Sequence, residues 1–242
     1  MSELLRLRLI WALALAAPLC AAGPAYADQR TEIGNSVQDR PIVAFGSGLQ
    51  DAPLKVLVVG AIHGNETAGM RITRRLIRAA SIDHVRLSIV PTVNPDGVAA
   101  GTRGNAHGVD LNRNFPYRWR PLGGGEYSGP RPLSEPESRA AQRLILRERP
   151  DVTIWFHQPF GLIDEPEGDP FAAHRFAQLI GLPLVRLPGP YPGSASRWQN
   201  HRLPSSTAFV AELPRRVSSA LVRRGTASVR RLASELASPA VD

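Results

Sequence analysis

The sequence predicts an α/β fold: a single domain built on a mixed, mostly parallel β-sheet with helices on both faces. Three observations predict it. Short, β-branched, nearly all-apolar runs recur at 55–61, 86–93, 152–156 and 207–211, the pattern of strands buried on both faces. Segments with helical spacing and cap signals separate those runs, and strands alternating with helices imply crossovers over a largely parallel sheet. The composition, 43% hydrophobic and 21% charged, is that of a folded globular chain and excludes wholesale disorder.

Taken in order, Asp28 to Asp51 combines turn residues with the short apolar segment Pro41–Phe45 and suits an edge hairpin. Lys55 to Ala61 is the first buried strand. Glu66 to Ala80 reads as a helix, with Ile72, Leu76 and Ile77 at helical spacing. Arg86 to Val93 is the second buried strand. A loop with many glycines and asparagines runs from Asn94 to about Gly129. Ser134-Glu135-Pro136-Glu137 opens the next helix as a capping box, with proline in the first turn. That helix stops before Pro150. Val152 to Phe156 is the third buried strand. Asp169-Pro170 caps a helix that ends at Gly181. Thr207 to Ala211 is the fourth buried strand, and Val217 to about Leu236 a closing amphipathic helix.

Arg6 and Arg8, the apolar run Leu9 to Leu19 and Ala25-Tyr26-Ala27 have the form of a cleavable secretory leader over residues 1–27, ahead of a domain at 28–242. An uncleaved anchor helix is the alternative, but the run is short for a span. The expected location is therefore periplasmic or secreted. No later stretch reaches the length of a membrane span. The one cysteine, Cys20, lies in the leader, and Leu19 stands where a lipobox wants a small residue. Disulfide scaffolds, cysteine-ligated zinc and cysteine nucleophiles are thereby excluded from the domain. The net charge is +8, and Lys55 is the only lysine among 29 basic residues. With no nucleic-acid module and no aromatic-basic alternation, a solvated basic surface is the better reading, and no nucleic-acid partner is expected. A monomer is expected.

In folds of this class ligands gather beyond the carboxyl ends of the strands. After the first strand come His63 and Glu66, three residues apart at a loop-to-helix junction where a turn at Gly64 can point both at one centre. Imidazole nitrogen with carboxylate oxygen suits zinc, although a helix-capping histidine beside a surface glutamate would look the same. The third strand runs into His157, which can reach the same crevice or be a satisfied core histidine. Two histidines and one glutamate leave a fourth position open, the catalytic rather than the structural pattern. Glu212 follows the fourth strand, where a carboxylate can take a proton from water activated by a metal. The long loop carries Arg103, Asn112 and Arg113. Guanidinium forks there can polarise a carbonyl or clamp a carboxylate, or hold loop backbone, as Arg118 and Arg120 can.

Taken together, these segments resemble the zinc carboxypeptidase family, and within it the small bacterial murein tripeptide (γ-D-glutamyl-diaminopimelate) amidases. The segments are Gly34-Asn35-Ser36-Val37 with Arg40-Pro41-Ile42, Ile62-His63-Gly64-Asn65-Glu66, Asn94-Pro95-Asp96-Gly97, Gly101-Thr102-Arg103, Asp110-Leu111-Asn112-Arg113-Asn114-Phe115-Pro116, Gly129-Pro130 through Ser134-Glu135-Pro136-Glu137, His157 and Glu212-Leu213-Pro214. They stand in family order over roughly residues 31–214. The resemblance implies one zinc ion held by His63, Glu66 and His157, and Glu212 as general base and acid. It implies Arg103 as the carbonyl-polarising arginine and Asn112 with Arg113 as the clamp for a substrate carboxylate. Tyr191, 21 residues before Glu212, corresponds to a mobile substrate-binding tyrosine of the digestive enzymes or is a rigid turn residue. The implied activity is hydrolysis of an amide near a free carboxylate in peptidoglycan peptides, at γ-D-Glu-meso-diaminopimelate. A metallocarboxypeptidase acting on other peptides and a non-catalytic wall-peptide binder are the alternatives. The recycling amidases of this branch are cytoplasmic, so the apparent leader moves the expected substrate to wall peptides outside the cytoplasm.

Overall fold

The computed structural model describes residues 29–238; the leader expected over 1–27 lies outside them. Among the described residues eight strands form one mixed sheet. In chain order they are β1 (Gln29–Asn35), β2 (Pro41–Ser47), β3 (Leu54–Val59), β4 (Val85–Val90), β5 (Val152–His157), β6 (Phe160–Asp164), β7 (Leu184–Val185) and β8 (Thr207–Pro214). In space the order is β1-β2-β4-β3-β5-β8-β6-β7. The centre, β4-β3-β5-β8, is parallel throughout. Both flanks join it antiparallel, through β2 on β4 and β6 on β8, and β1 with β2 forms the expected edge hairpin.

Alternation along the central strands fills two cores. Val56 and Val58 of β3, Ile154 and Phe156 of β5, and Phe209 and Ala211 of β8 face one side. There they meet α1 (Ala68–Ile77), α4 (Phe171–Ile180) and α6 (Ser219–Ala237). Leu57, Val59, Trp155 and Ala208 face the other, under α3 (Pro136–Glu148) and α5 (Ala195–Arg202). Helices therefore cover both faces, and truncating a fully buried residue such as Ile154 to alanine costs about 2–5 kcal/mol. Side chains two apart share a face, so His157 and Glu212 point to the α3/α5 side. They are also register partners on adjacent parallel strands.

The structure departs from the sequence reading in several places. The Ser134 capping box does not form: Glu135 is the N-cap residue and makes no side-chain cap. Glu137 instead accepts hydrogen bonds from Val37 N–H and the Asn105 side chain. The long loop contains a short helix, α2 (Pro95–Ala100), capped by Asn94 Oδ1 accepting from Gly97 N–H. The fourth strand runs on to Pro214 because β6 pairs with it, placing Glu212 inside the strand. Finally, β6, β7 and α5 were not anticipated. The exposed Phe160 breaks the apolar alternation of β6, β7 has two residues, and α5 is polar apart from the buried Ala195 and Trp198.

Candidate active site

The turn after β3 and the helix α2 meet without side chains between them. A Cβ on Gly64 would stand 1.9 Å from the Gly97 carbonyl carbon, so Gly64 is dictated by a backbone-to-backbone approach, while a Cβ on Gly97 would strike the Asn94 amide and the Gly104 carbonyl. Asn94 fastens the meeting point, donating to the carbonyls of Ile62 and Arg103. The turn thus delivers His63 and Glu66 beside Arg103, ahead of α1, which begins at Ala68. The expected start of that helix at Glu66 is two residues early. Ala68 N–H is capped by Gln158 Oε1, and Gln158 Nε2 donates to the Pro214 carbonyl. One amide side chain therefore joins the ends of β5 and β8 to the start of α1.

His63, Glu66 and His157 are buried, and one donor atom from each lies within 4.8 Å of the others. Glu66 Oε2 lies 2.9 Å from His157 Nδ1 and Oε1 lies 3.0 Å from His63 Nδ1. On its far side, His63 Nε2 is held 2.9 Å from Asp110 Oδ1. That carboxylate fixes the ring, with Nδ1 turned inward, buried and at an angle to Glu66 that makes no hydrogen bond. Two imidazole nitrogens and a carboxylate, one ring backed by a second carboxylate, suit zinc in donor type and number.

Asp110 is completely buried and organises more than His63. Its Oδ1 also accepts from Asn112 N–H, and its Oδ2 accepts from Arg103. Burial opposes its ionisation, but His63 and then Arg103 and Arg113 hold the carboxyl well below its usual range. Glu66 is held low in the same way: burial raises it, and His157 and His63 outweigh burial. Burial lowers His157; burial also lowers His63, but Asp110 and Glu66 leave it raised.

Glu212 has the opposite environment. Burial, then the negative charge of Glu66, push its carboxyl up to about 7, against the Phe160 N–H and the charges of His63 and Arg103. Its Oε2 is buried without a partner. A carboxyl poised near neutrality can accept a proton and give it back.

The clamp candidates come from a 3-10 turn capped by Asp110. Asn112 Oδ1 accepts from Ala195 N–H, which turns its amide nitrogen to the cavity. Arg113 is buried and donates to Glu126 at 2.5 Å. Gly193, at φ +70°, lies on the Arg113 backbone, where a Cβ would be 2.1 Å from the carbonyl oxygen. The same turn presents Tyr191, whose ring lies 5.5 Å from the Arg113 guanidinium and 4.9 Å from that of Arg197.

All eight residues singled out from the sequence, Tyr191 among them, line one cavity of about 330 Å³. His107 is held by Glu135 away from it. The sequence reading gave no role to Asp110, Glu126, Asp164 or Arg197. Asp110 carried a usable signal, as the acid two residues before Asn112 in the same motif.

Comparison with known proteins agrees with this geometry. Residues 26–166 match the zinc carboxypeptidase family model. The chain belongs to the zinc carboxypeptidase family. It is accordingly a zinc metallopeptidase. It is 33% identical to murein peptide amidase A of Escherichia coli K12 over 180 residues, covering 68% of this chain and 74% of that one. It is 32% identical to murein peptide amidase A of Vibrio campbellii over 200 residues, covering 76% and 79%. The crystal structure of the murein-tripeptide amidase of E. coli O157 matches with a TM-score of 0.70 at 28% identity, over 93% of this chain and 98% of that one. Carboxypeptidase A of Helicoverpa armigera shares the fold, with a TM-score of 0.73 at 20% identity over 88% and 69%. Among the described residues no helix is long and apolar enough to cross a membrane.

Proposed function

We propose that this protein is a zinc-dependent amidase of cell-wall peptides, cleaving the γ-D-Glu-meso-diaminopimelate bond. The observation that carries the reading is the arrangement of one cavity. It holds a His-Glu-His donor set, a carboxyl poised near neutrality and an Asn-Arg clamp, in a chain whose relatives are named murein peptide amidases.

His63, Glu66 and His157 hold the zinc ion. Zinc in such a site acidifies water and polarises a carbonyl oxygen. Arg113 and the Asn112 amide bind the carboxylate next to the scissile bond, which fixes where cleavage falls. Glu212 accepts the proton from the attacking water and returns it to the leaving amine. Arg103, oriented by Asp110, donates to the carbonyl oxygen as negative charge develops there. The leader expected over residues 1–27 places this reaction outside the cytoplasm.

The test is mass-spectrometric. The zinc-loaded protein is incubated with L-Ala-γ-D-Glu-meso-diaminopimelate, with Glu212→Gln as control. Free diaminopimelate from the wild type alone is the expected result. No release from zinc-loaded wild type refutes the assigned bond.

A further inference from the structure

We propose that the cavity contains a pocket for a zwitterionic side-chain head, in which Asp164 binds the ammonium group and Arg197 the carboxylate. The proposal rests on the amidase reading and names the group on the leaving residue that the enzyme selects.

Register places Asp164. It ends β6 directly opposite Val210 of β8, and Val210 stands two residues before Glu212. Residues two apart on a strand share a face, as do cross-strand partners. Asp164 is therefore on the face that carries Glu212 and His157, and it lines the same cavity. Arg197 reaches that cavity from α5, the helix covering this face.

Each group has unused bonding capacity. Asp164 Oδ1 accepts from Leu187 N–H at 2.9 Å; among the described residues Oδ2 has no hydrogen-bond or ion-pair partner. Arg197 Nη1 donates to the Pro190 carbonyl at 2.7 Å and stands 3.7 Å from Glu167. Its Nε and Nη2 are free of protein acceptors among the described residues, although the side chain is only 16% exposed. Asp164 and Arg197 do not form an ion pair with each other. Both charged groups thus face the cavity with bonding positions that the protein leaves open to solvent and to a ligand. Burial pushes the Asp164 carboxyl up, against Leu187 N–H and the Arg197 and Arg186 charges.

The spacing of the arginines supplies the rest. Arg113 and Arg197 lie 5.5 Å and 4.9 Å from the centre of the same Tyr191 ring, so the cavity gathers two guanidinium groups around one aromatic ring. A diaminopimelate residue carries two carboxylates separated by a short methylene chain. With the first on Arg113, the second falls towards Arg197, and the ammonium on that same carbon falls to Asp164. Lysine lacks the second carboxylate, and 2-aminopimelate lacks the second ammonium.

The test uses the zinc-loaded full chain and two readouts. One is kcat/KM on L-Ala-γ-D-Glu-X, and the other is calorimetric binding of free X, with X meso-diaminopimelate, L-lysine or L-2-aminopimelate. The variants are Asp164→Asn, which keeps the acceptor for Leu187 N–H, and Arg197→Met, which keeps an unbranched stem but removes the guanidinium. The wild type should favour meso-diaminopimelate over each analogue by about tenfold or more in both readouts. Arg197→Met should erase the preference over lysine, and Asp164→Asn the preference over 2-aminopimelate. Arg197→Lys should restore part of the first. Equal binding of the three free amino acids by the wild type, or variants that weaken all three alike, overturns the pocket even where turnover is normal. Preferences that follow this pattern in binding, with no tripeptide cleaved, uphold the pocket and overturn the amidase reading alone.

Discussion

Glu212→Gln should make the metal-free protein more stable at pH 8. The carboxyl is buried and faces the negative charge of Glu66, which lifts it from 4.5 to about 7. Between those two values the folded chain keeps a proton that the unfolded chain has released, so stability falls as pH rises through that window. At about 1.4 kcal/mol per unit, the rise corresponds to roughly 3 kcal/mol lost by pH 8. Glutamine removes the charge but leaves an amide where Oε2 now lacks a partner, which takes back about 1 kcal/mol. The net expectation is a gain of about 2 kcal/mol at pH 8, shrinking towards zero or below near pH 4.5. Urea unfolding of zinc-stripped wild type and variant at the two pH values measures it. His63, His157 and Glu66 add their own slopes to both proteins, so the difference reads position 212 together with its coupling to Glu66 and His63. Parallel pH profiles, or a glutamine variant less stable at pH 8, would refute the reasoning. With zinc restored, the same variant should hold the metal and lose turnover.

Four further variants test the geometry. His157→Ala should lose bound zinc by elemental analysis, and Asp110→Asn should weaken zinc binding about 10–100-fold by releasing the His63 ring; full occupancy in the first variant would break the ligand assignment. Arg103→Gln should lower kcat by about 10²–10³ with little change in KM; an effect confined to KM would make it a binding residue. Glu126→Ala should free Arg113 for the substrate carboxylate. Since Glu126 is 55% exposed, the pair is worth at most about 1 kcal/mol. KM should therefore fall by up to about fivefold at constant kcat, and a rise would show that Glu126 holds Arg113 in place.

The central strands were legible because burial on both faces leaves a dense apolar run, and His157 and Glu212 were legible because they stand at the ends of such runs. Arg103, Asn112 and Arg113 came from motif order instead, since nothing local says that their loop folds back over the β3 turn. Asp110 illustrates the gap. Its contact with His63 spans 47 residues, and no periodicity encodes it. Asp164 and Arg197 were invisible for a different reason. Strand β6 lacks clean alternation and α5 is polar, so neither element, and hence neither side chain, could be placed. The mistaken capping box has the same origin: Glu137 satisfies Val37 and Asn105, distant partners that outcompete the local one.

The contact of Gly64 with Gly97 sets a rule for anyone reshaping this enzyme. The turn bearing His63 and the segment leading to Arg103 are pressed together with no room for a methyl group, so they behave as one machined part. An insertion in either would carry the donor set and the polarising arginine out of register together. The segments around Glu126 and Tyr191, by contrast, touch the clamp from outside that part. Loop grafts meant to change what is cut belong there, provided that Gly193, seated on the Arg113 backbone, is kept.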